Sequence, residues 1–400
     1  MRGSWNNNQF RVLIVIVQKG KNSFKNDHNI KIGTIDSQLG DVMSKSLHVL
    51  IAGMVLFAGL ALVTGQETVE PISLVKRGGR QMVDELQMGT ITGMVGWEPY
   101  PSEAILNGGK LLWKSSEIWP HHPCCVLAYD QEWYERTPDA DEILRRVVAS
   151  HKEAQEWVTE AKDPGSRDYE KLVAYSMEFT SRSREVCELA LENIDFDYDI
   201  DSEGVLTYAE SLRRYGLFNE RQWKKSGYND VGDYVDHMTD DRYLAAPRNE
   251  GVGEELIGVR FGYLTEDLHQ LSFYVACKEG IFEHHGIKPA LGHDPFENGV
   301  QEMREGFKMN SIDIGYLGIA PTMLLAINEN DFDARSPHHN CAKVTIIAGV
   351  NYDGTALVVD PSINSMEDLA GKTVAYPGPG TVQSILVMMA AEEAGLLVKQ

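Results

Sequence analysis

Residues 373–400 constrain the fold more than any other stretch. Thr373 to Tyr376 is a short strand, and Pro377-Gly-Pro-Gly380 is a turn that neither helix nor strand accepts. Thr381 opens a helix in which Ile385, Leu386, Met389 and Ala390 recur at helical spacing, and Gly395 ends it as a C′ residue. Strand, glycine-rich loop and helix make the first half of a parallel βαβ unit. No second strand follows Gly395 before Gln400. A parallel strand without a neighbour leaves its backbone donors and acceptors unpaired, so the partner of Thr373–Tyr376 is expected elsewhere in the chain.

A strand with the opposite deficiency lies at Pro71–Val75, which begins an αβ series without a predecessor. Helix Gly79–Met88, a strand within 89–96, helix Ser102–Leu106 and strand Lys110–Trp113 follow it. Cys124–Tyr129 is an apolar strand, and Glu132 to Tyr243 is helical. The clearest helix, 141–162, carries Ile143, Leu144, Val147, Val148, His151, Ala154, Trp157, Val158 and Ala161 on one stripe, with Asp139 as N-cap. A second helix is expected over about 166–194 and a third over 202–215. After a Gly- and Pro-containing linker, a second αβ series starts at Gly258 and runs through strands 311–316, 344–349 and 355–359. Joining Gln400 to Glu67 completes the βαβ unit with a turn of ordinary length. The chain is therefore expected to be α/β, with parallel sheets and a rotated order whose natural beginning is near Gly258. A truncated tandem is the alternative to such a rotation.

In that order six pieces fall into a series: Gly262-Tyr-Leu-Thr265, Tyr274-Val-Ala-Cys-Lys-Glu-Gly-Ile-Phe282, Gly286-Ile287, Ile312-Asp-Ile-Gly-Tyr-Leu-Gly318, Asp368-Leu-Ala-Gly-Lys-Thr-Val-Ala375 and Gly93-Met-Val-Gly-Trp-Glu-Pro-Tyr100. The series resembles the periplasmic substrate-binding proteins of ABC importers, in the nitrate/sulfonate/taurine/bicarbonate and thiamine-precursor group. The resemblance covers nearly all of 67–400, although the family does not show the rotated order. It implies a two-lobed, type II binding-protein fold closing on a ligand like a hinge. The expected division is an unassigned extension 1–42, a signal peptide or membrane anchor 43–66, part of lobe 2 at 67–123, a hinge strand with helices on lobe 1 at 124–244, a linker 245–257, lobe 1 at 258–349, and the hinge with the start of lobe 2 at 350–400.

Other features bound the function. Net charge is −22, from 37 basic and 59 acidic residues, which excludes nucleic acid and anionic membrane as main partners. The run Val49–Val63 is shorter than a spanning helix and sits between a short basic stretch and small polar residues, as in a secretory signal. A buried core helix and an uncleaved anchor over 47–63 are the alternatives, and the start codon is Met1 or Met43. Five cysteines without a CxxC motif define neither a disulfide framework nor a zinc ribbon.

Ligands of open parallel sheets bind beyond the carboxyl ends of the strands. That rule selects Thr265, Asp267, His269 and Gln270 after one strand, Leu317, Gly318 and Thr322 after another, Gly380, Thr381 and Gln383 after 373–376, and Trp97 and Glu98 after 94–96. The helix starts near Pro321 and Thr381 suit an oxyanion, whereas Glu98 opposes one and favours a cationic or hydrogen-bonding ligand such as an aminopyrimidine. Each has a plainer reading: turn glycines, a core tryptophan, an outward salt bridge for Glu98, a satisfied loop histidine. Cys124 and Cys125 are expected on opposite faces of a strand, so they should not share an ion. His284-His285 and His338-His339 read as surface turns. No Gly-x-Ser-x-Gly or His-Glu-x-x-His is present, and Gly378-Pro-Gly-Thr lacks the lysine of a P-loop. The expectation is an exported, monomeric receptor, periplasmic or at the outer face of the cytoplasmic membrane. It would pass a small solute to an ABC permease, without catalytic residues, metal or cofactor. The alternative is an enzyme of thiamine-pyrimidine synthesis on the same fold.

Overall fold

The computed structural model describes residues 70–245, 256–291, 300–328 and 344–400. The extension 1–42, the apolar segment 43–66, Glu67, nearly all of the linker, Cys341 and His338-His339 lie outside them. Residues 68–400 form one compact unit. Among the described residues no helix is long and apolar enough to cross a membrane.

The strands, in chain order, are β1 (Ile72–Lys76), β2 (Gly93–Trp97), β3 (Lys110–Lys114), β4 (Pro123–Asp130), β5 (Ile194–Asp195), β6 (Ile257–Gly262), β7 (Ile287–Leu291), β8 (Ile314–Gly318), β9 (Val344–Asp353), β10 (Thr355–Val359), β11 (Thr373–Tyr376) and β12 (Val398–Lys399). They form two six-stranded sheets, ordered β12-β1-β11-β2-β10-β3 and β5-β9-β4-β8-β6-β7. The parallel neighbours of β11 are β1, in register from Ser73↔Thr373 to Lys76↔Tyr376, and β2. The residues that complete the ladder of β11 thus come from the other end of the described chain. On its far side β1 carries β12, also parallel, with Ile72 N donating to Leu397 O at 2.8 Å.

Neither sheet is wholly parallel, which corrects the expectation of parallel-sheet lobes. β10 runs antiparallel to β2 and β3, and β4 runs antiparallel to β8 and β9. The cause is connectivity. β9 of one sheet continues into β10 of the other across Gly354 alone, and β3 leads through helix Ser115–Ile118 into β4. A strand that arrives from the facing sheet comes in at the end where its neighbours finish, so it opposes them.

Helix Ala140–Ala161 buries Ile143, Leu144, Val147, Val148, His151, Ala154, Val158 and Ala161, the predicted stripe except for Trp157, which is half-buried. Asp139 precedes it with φ 58 and no side-chain cap, so the expected N-cap bond is absent. The expected helix over 166–194 is broken in two, Tyr169–Thr180 and Arg184–Glu192, at Ser181 with φ 56. Ser183 Oγ then accepts from Val186 N, restarting the helix through a local hydrogen bond that competes with its continuation. One apolar cluster joins Ile72, Leu74, Val95 and Val374 of the β1 sheet to Val126, Leu127, Ile314 and Ile346 of the β4 sheet.

Ile72 is fully buried between β11 and β12. Replacing it with Ala removes buried methyls and should cost about 2–5 kcal/mol in urea unfolding. A loss under about 0.5 kcal/mol, normal for an exposed site, would contradict the pairing of β1 with β11.

Candidate functional site between the two sheets

Gly354 joins the sheets and is the meeting point of the site. Its φ is +80, and a Cβ there would lie 2.3 Å from His269 Nε2, so a side chain is excluded on two counts. The Gly354 carbonyl accepts from Glu98 N at 3.0 Å and stands 3.0 Å from His269 Nε2. Asp353 N donates to His122 O at 3.0 Å, tying the second crossing to the first.

The loop after β6 supplies the first group of predicted residues. Asp267 caps the turn Leu268–Gln270, accepting from His269 N at 3.2 Å and from Gln270 Nε2 at 3.2 Å. Gln270 Oε1 accepts from Leu264 N at 2.7 Å. All three side chains are buried. With Nε2 donating to Gly354, His269 turns Nδ1 toward Cys124 Sγ at 3.3 Å and Asp267 Oδ1 at 3.7 Å.

The cysteines correct a sequence expectation. Register breaks on both sides of Cys125 in the β4–β9 ladder interrupt the alternation, so neighbouring side chains no longer oppose each other. The sulfurs of Cys124 and Cys125 and a ring nitrogen of His269 lie within 4.8 Å of one another, all buried. Two thiols and an imidazole oriented by a backbone carbonyl suit a soft divalent ion, the type of set seen in zinc sites. The Cys125 thiol, and after it His269, hold the Cys124 thiol well below its ordinary pKa against the opposing effect of burial, while Cys125 is pushed up. For His269 burial opposes the charge, but Cys124 and Asp267 outweigh it and set its pKa at about 9. Burial lifts Asp267 to about 7.

Glu98 is 1% exposed, and burial raises its pKa. Its carboxyl accepts from Asn193 Nδ2 at 2.7 Å and Ser102 N at 3.2 Å, and its carbonyl accepts from Leu268 N at 3.2 Å. It therefore lies inside the junction and makes no outward salt bridge. Trp97 meets Tyr100 edge-on at 5.0 Å. Three buried polar atoms here, Trp97 Nε1, Thr265 Oγ1 and Asn193 Oδ1, have no hydrogen-bond partner. Glu98 and Asn193 also wall an open polar pocket of about 240 Å³, with Lys114, Lys162 and Asp195 around it.

The second group of predicted residues meets on another part of the junction. A Cβ on Gly380 would lie 2.2 Å from Leu324 Cδ1, and one on Gly318 would lie 3.7 Å from Val382. The loop after β8 and the loop after β11 are thus in contact, with Leu317 buried behind them. Their hydroxyls are engaged locally: Thr322 donates to Gly318 O at 2.9 Å, and Thr381 donates to Gly378 O and accepts from Ser384 N. Gln383 Nε2 reaches Thr355 Oγ1 at 3.0 Å, beside Gly354, and so links the groups.

Sequence reasoning missed Asn193, Gly354 and a clamp around Arg182. Arg182 Nε binds Glu103 Oε2 at 2.6 Å, its other arm is 3.3 Å from Glu266 Oε2, and its guanidinium lies 5.2 Å from the Tyr100 ring centre. Arg80 pairs with the same Glu266, and Tyr100 donates to it at 3.2 Å. Arg80, Tyr100 and Glu103 belong to elements of the β1 sheet, whereas Arg182 and Glu266 pack on the β4 side. No local motif signals such pairs, because the partners are far apart in sequence.

Residues 36–171, about a third of the chain, match the NMT1-like family. Over 117 residues the chain is 25% identical to the nitrate/nitrite binding protein NrtA of Nostoc sp. (strain PCC 7120 / SAG 25.82 / UTEX 2576), covering 29% of this chain and 26% of that protein. The chain thus spans about a quarter of the length of that relative.

His122 offers a pH test. Nδ1 of its buried ring lies 2.9 Å from Tyr208 Oη and 3.3 Å from Pro123 O, and Nε2 faces Asp353 Oδ1 at 3.8 Å. Burial lowers the His122 pKa to about 4. A depressed pKa gives stability that is present above about 6.5, the unfolded value, and is lost as pH falls through about 4. The stability advantage of the native chain over His122→Gln, from urea melts, should therefore narrow from pH 7 to pH 4. An advantage that stays constant or widens would contradict a neutral buried His122.

Proposed function

We propose that this chain is a solute-binding protein whose two sheets, as lobes, close on a small solute destined for an ABC importer. The observation that carries this reading is the junction itself. Two mixed sheets are joined by two crossings, and the candidate residues from four strand ends converge between them. The partial likeness to the NMT1-like family and to a nitrate/nitrite binding protein supports a receptor over an enzyme. Export and docking on a membrane permease belong to the same reading.

The solute is a small neutral or cationic hydrogen-bonding molecule, with an aminopyrimidine as the type. The buried carboxyls Glu98 and Asp267 oppose an oxyanion on their side of the junction, and a ring with amino donors would satisfy Glu98 and Asn193 Oδ1. The binding set is Trp97, Glu98, Thr265, Asp267, His269 and Gln270, with Leu317, Gly318, Thr322, Gly380, Thr381 and Gln383 closing the opposite side. A rotated order relative to the solute-binding family is part of the proposal, supported by the parallel ladder between β1 and β11.

A second reading, an enzyme of thiamine-pyrimidine synthesis, draws on the buried Cys124, Cys125 and His269 group. An aminopyrimidine detected by mass spectrometry in incubations to which none was added would select it.

Thermal unfolding with a panel of nitrate, bicarbonate, sulfonates and aminopyrimidines tests the receptor reading. A bound solute at a hundred times its Kd should add about 2.7 kcal/mol. The aminopyrimidines should give that shift, and Glu98→Ala should weaken their binding at least about tenfold, as loss of a hydrogen bond to a charged group does. Stabilisation by nitrate alone would overturn the solute class, and silence across the panel would overturn the receptor.

A further inference from the structure

Away from the junction, two neighbouring histidines converge on one carboxylate. Glu153 lies on helix Ala140–Ala161. Opposite it, the short helix Ile281–His284 is anchored by Ile281 and Phe282, both buried. His285 N donates to Ile281 O at 3.2 Å and Phe282 O at 3.1 Å, and Gly286 turns the chain away with φ 72. Both imidazoles are therefore presented from a fixed backbone. The reading of His284-His285 as a surface turn holds for His284, whose side chain is 58% exposed, but not for His285, at 2%.

We propose that Glu153, His284 and His285 bind a divalent transition-metal ion of the zinc class. His285 Nε2 lies 2.8 Å and His284 Nδ1 3.7 Å from the same oxygen, Glu153 Oε2, and the three donor atoms lie within 4.8 Å of one another. Metal–ligand bonds of about 2.0–2.2 Å place tetrahedral donors roughly 3.3–3.5 Å apart, so a small adjustment of the exposed His284 ring completes three corners. Two imidazoles and one carboxylate suit Zn²⁺, Ni²⁺ or Cu²⁺ and not the all-oxygen preference of Ca²⁺ or Mg²⁺. In the free protein the Nε2–H of His285 donates to Glu153; when the ion takes that position a neutral ring carries its proton on Nδ1 instead, and a protonated ring gives one proton to solvent. The bound ion ties the long helix to the 281–285 turn.

The test uses the full chain with zinc chloride against a chromogenic chelator, and with Co²⁺ as a spectroscopic substitute. The native chain should bind an ion that His284→Ala and Glu153→Gln each bind at least about tenfold more weakly, with circular dichroism unchanged. The cobalt that the His284→Ala and Glu153→Gln variants fail to bind should carry no thiolate charge-transfer absorption. Equal binding by native chain and variants would overturn the proposal. So would thiolate bands from every bound cobalt, which would put the metal on Cys124 and Cys125.

Discussion

The Gly354 carbonyl is the contact on which the junction depends. It faces Glu98 N from the β1 sheet and His269 Nε2 from the β4 side, both at 3.0 Å. Because β9 becomes β10 across this residue, the same peptide is both covalent hinge and hydrogen-bonded anchor. Moving one sheet relative to the other must change at least one of these bonds. The imidazole held there is the group that faces Cys124 and Asp267, so hinge geometry and site electrostatics are coupled through one ring.

The rest of the junction is polar and largely buried, a costly combination unless the groups satisfy one another. Most do: Asp267 caps its own turn, Gln270 closes the loop onto Leu264, and Glu98 is held by Asn193 and Ser102. The clamp of Arg182 with Glu103 and Glu266 fastens the same faces at their rim. A charge pair broken on one side would leave the buried Arg182 guanidinium uncompensated, so the clamp resists separation of these faces. Among the buried atoms without a hydrogen-bond partner, Trp97 Nε1, Thr265 Oγ1 and Asn193 Oδ1 are where the proposed solute would add hydrogen bonds without displacing protein ones.

Much of this was legible from periodicity and from one omission. The stripe of helix Ala140–Ala161 follows from apolar spacing, and the need of β11 for a distant partner was legible, a place β1 occupies; the short strand β12, which the expectation of no strand after Gly395 missed, pairs with β1 and not with β11. Local rules failed where tertiary contacts decide. Strand alternation separates Cys124 from Cys125 only in an unbroken ladder, and the register breaks at Cys125 annul it. The antiparallel course of β4 and β10 comes from crossings between sheets, which local pattern does not encode. Arg182 and Asn193 carry no spacing signal, since their partners Glu266, Glu103 and Glu98 are far along the chain. His285 reads as a surface residue by composition, yet the packing of Ile281 and Phe282 draws its ring inward.

The account makes the β1–β11 ladder the seam of a two-lobed receptor whose order is rotated. Restoring the order tests this most directly: a chain of residues 258–400 followed at once by 67–244, compared with the native chain by thermal unfolding and circular dichroism. The account predicts a soluble, cooperatively unfolding protein with the native spectrum and a melting temperature within about 3 °C, equivalent to roughly 1–2 kcal/mol for a chain of this length. A rearranged chain that is soluble but unfolded, or folded with a different spectrum, would contradict it.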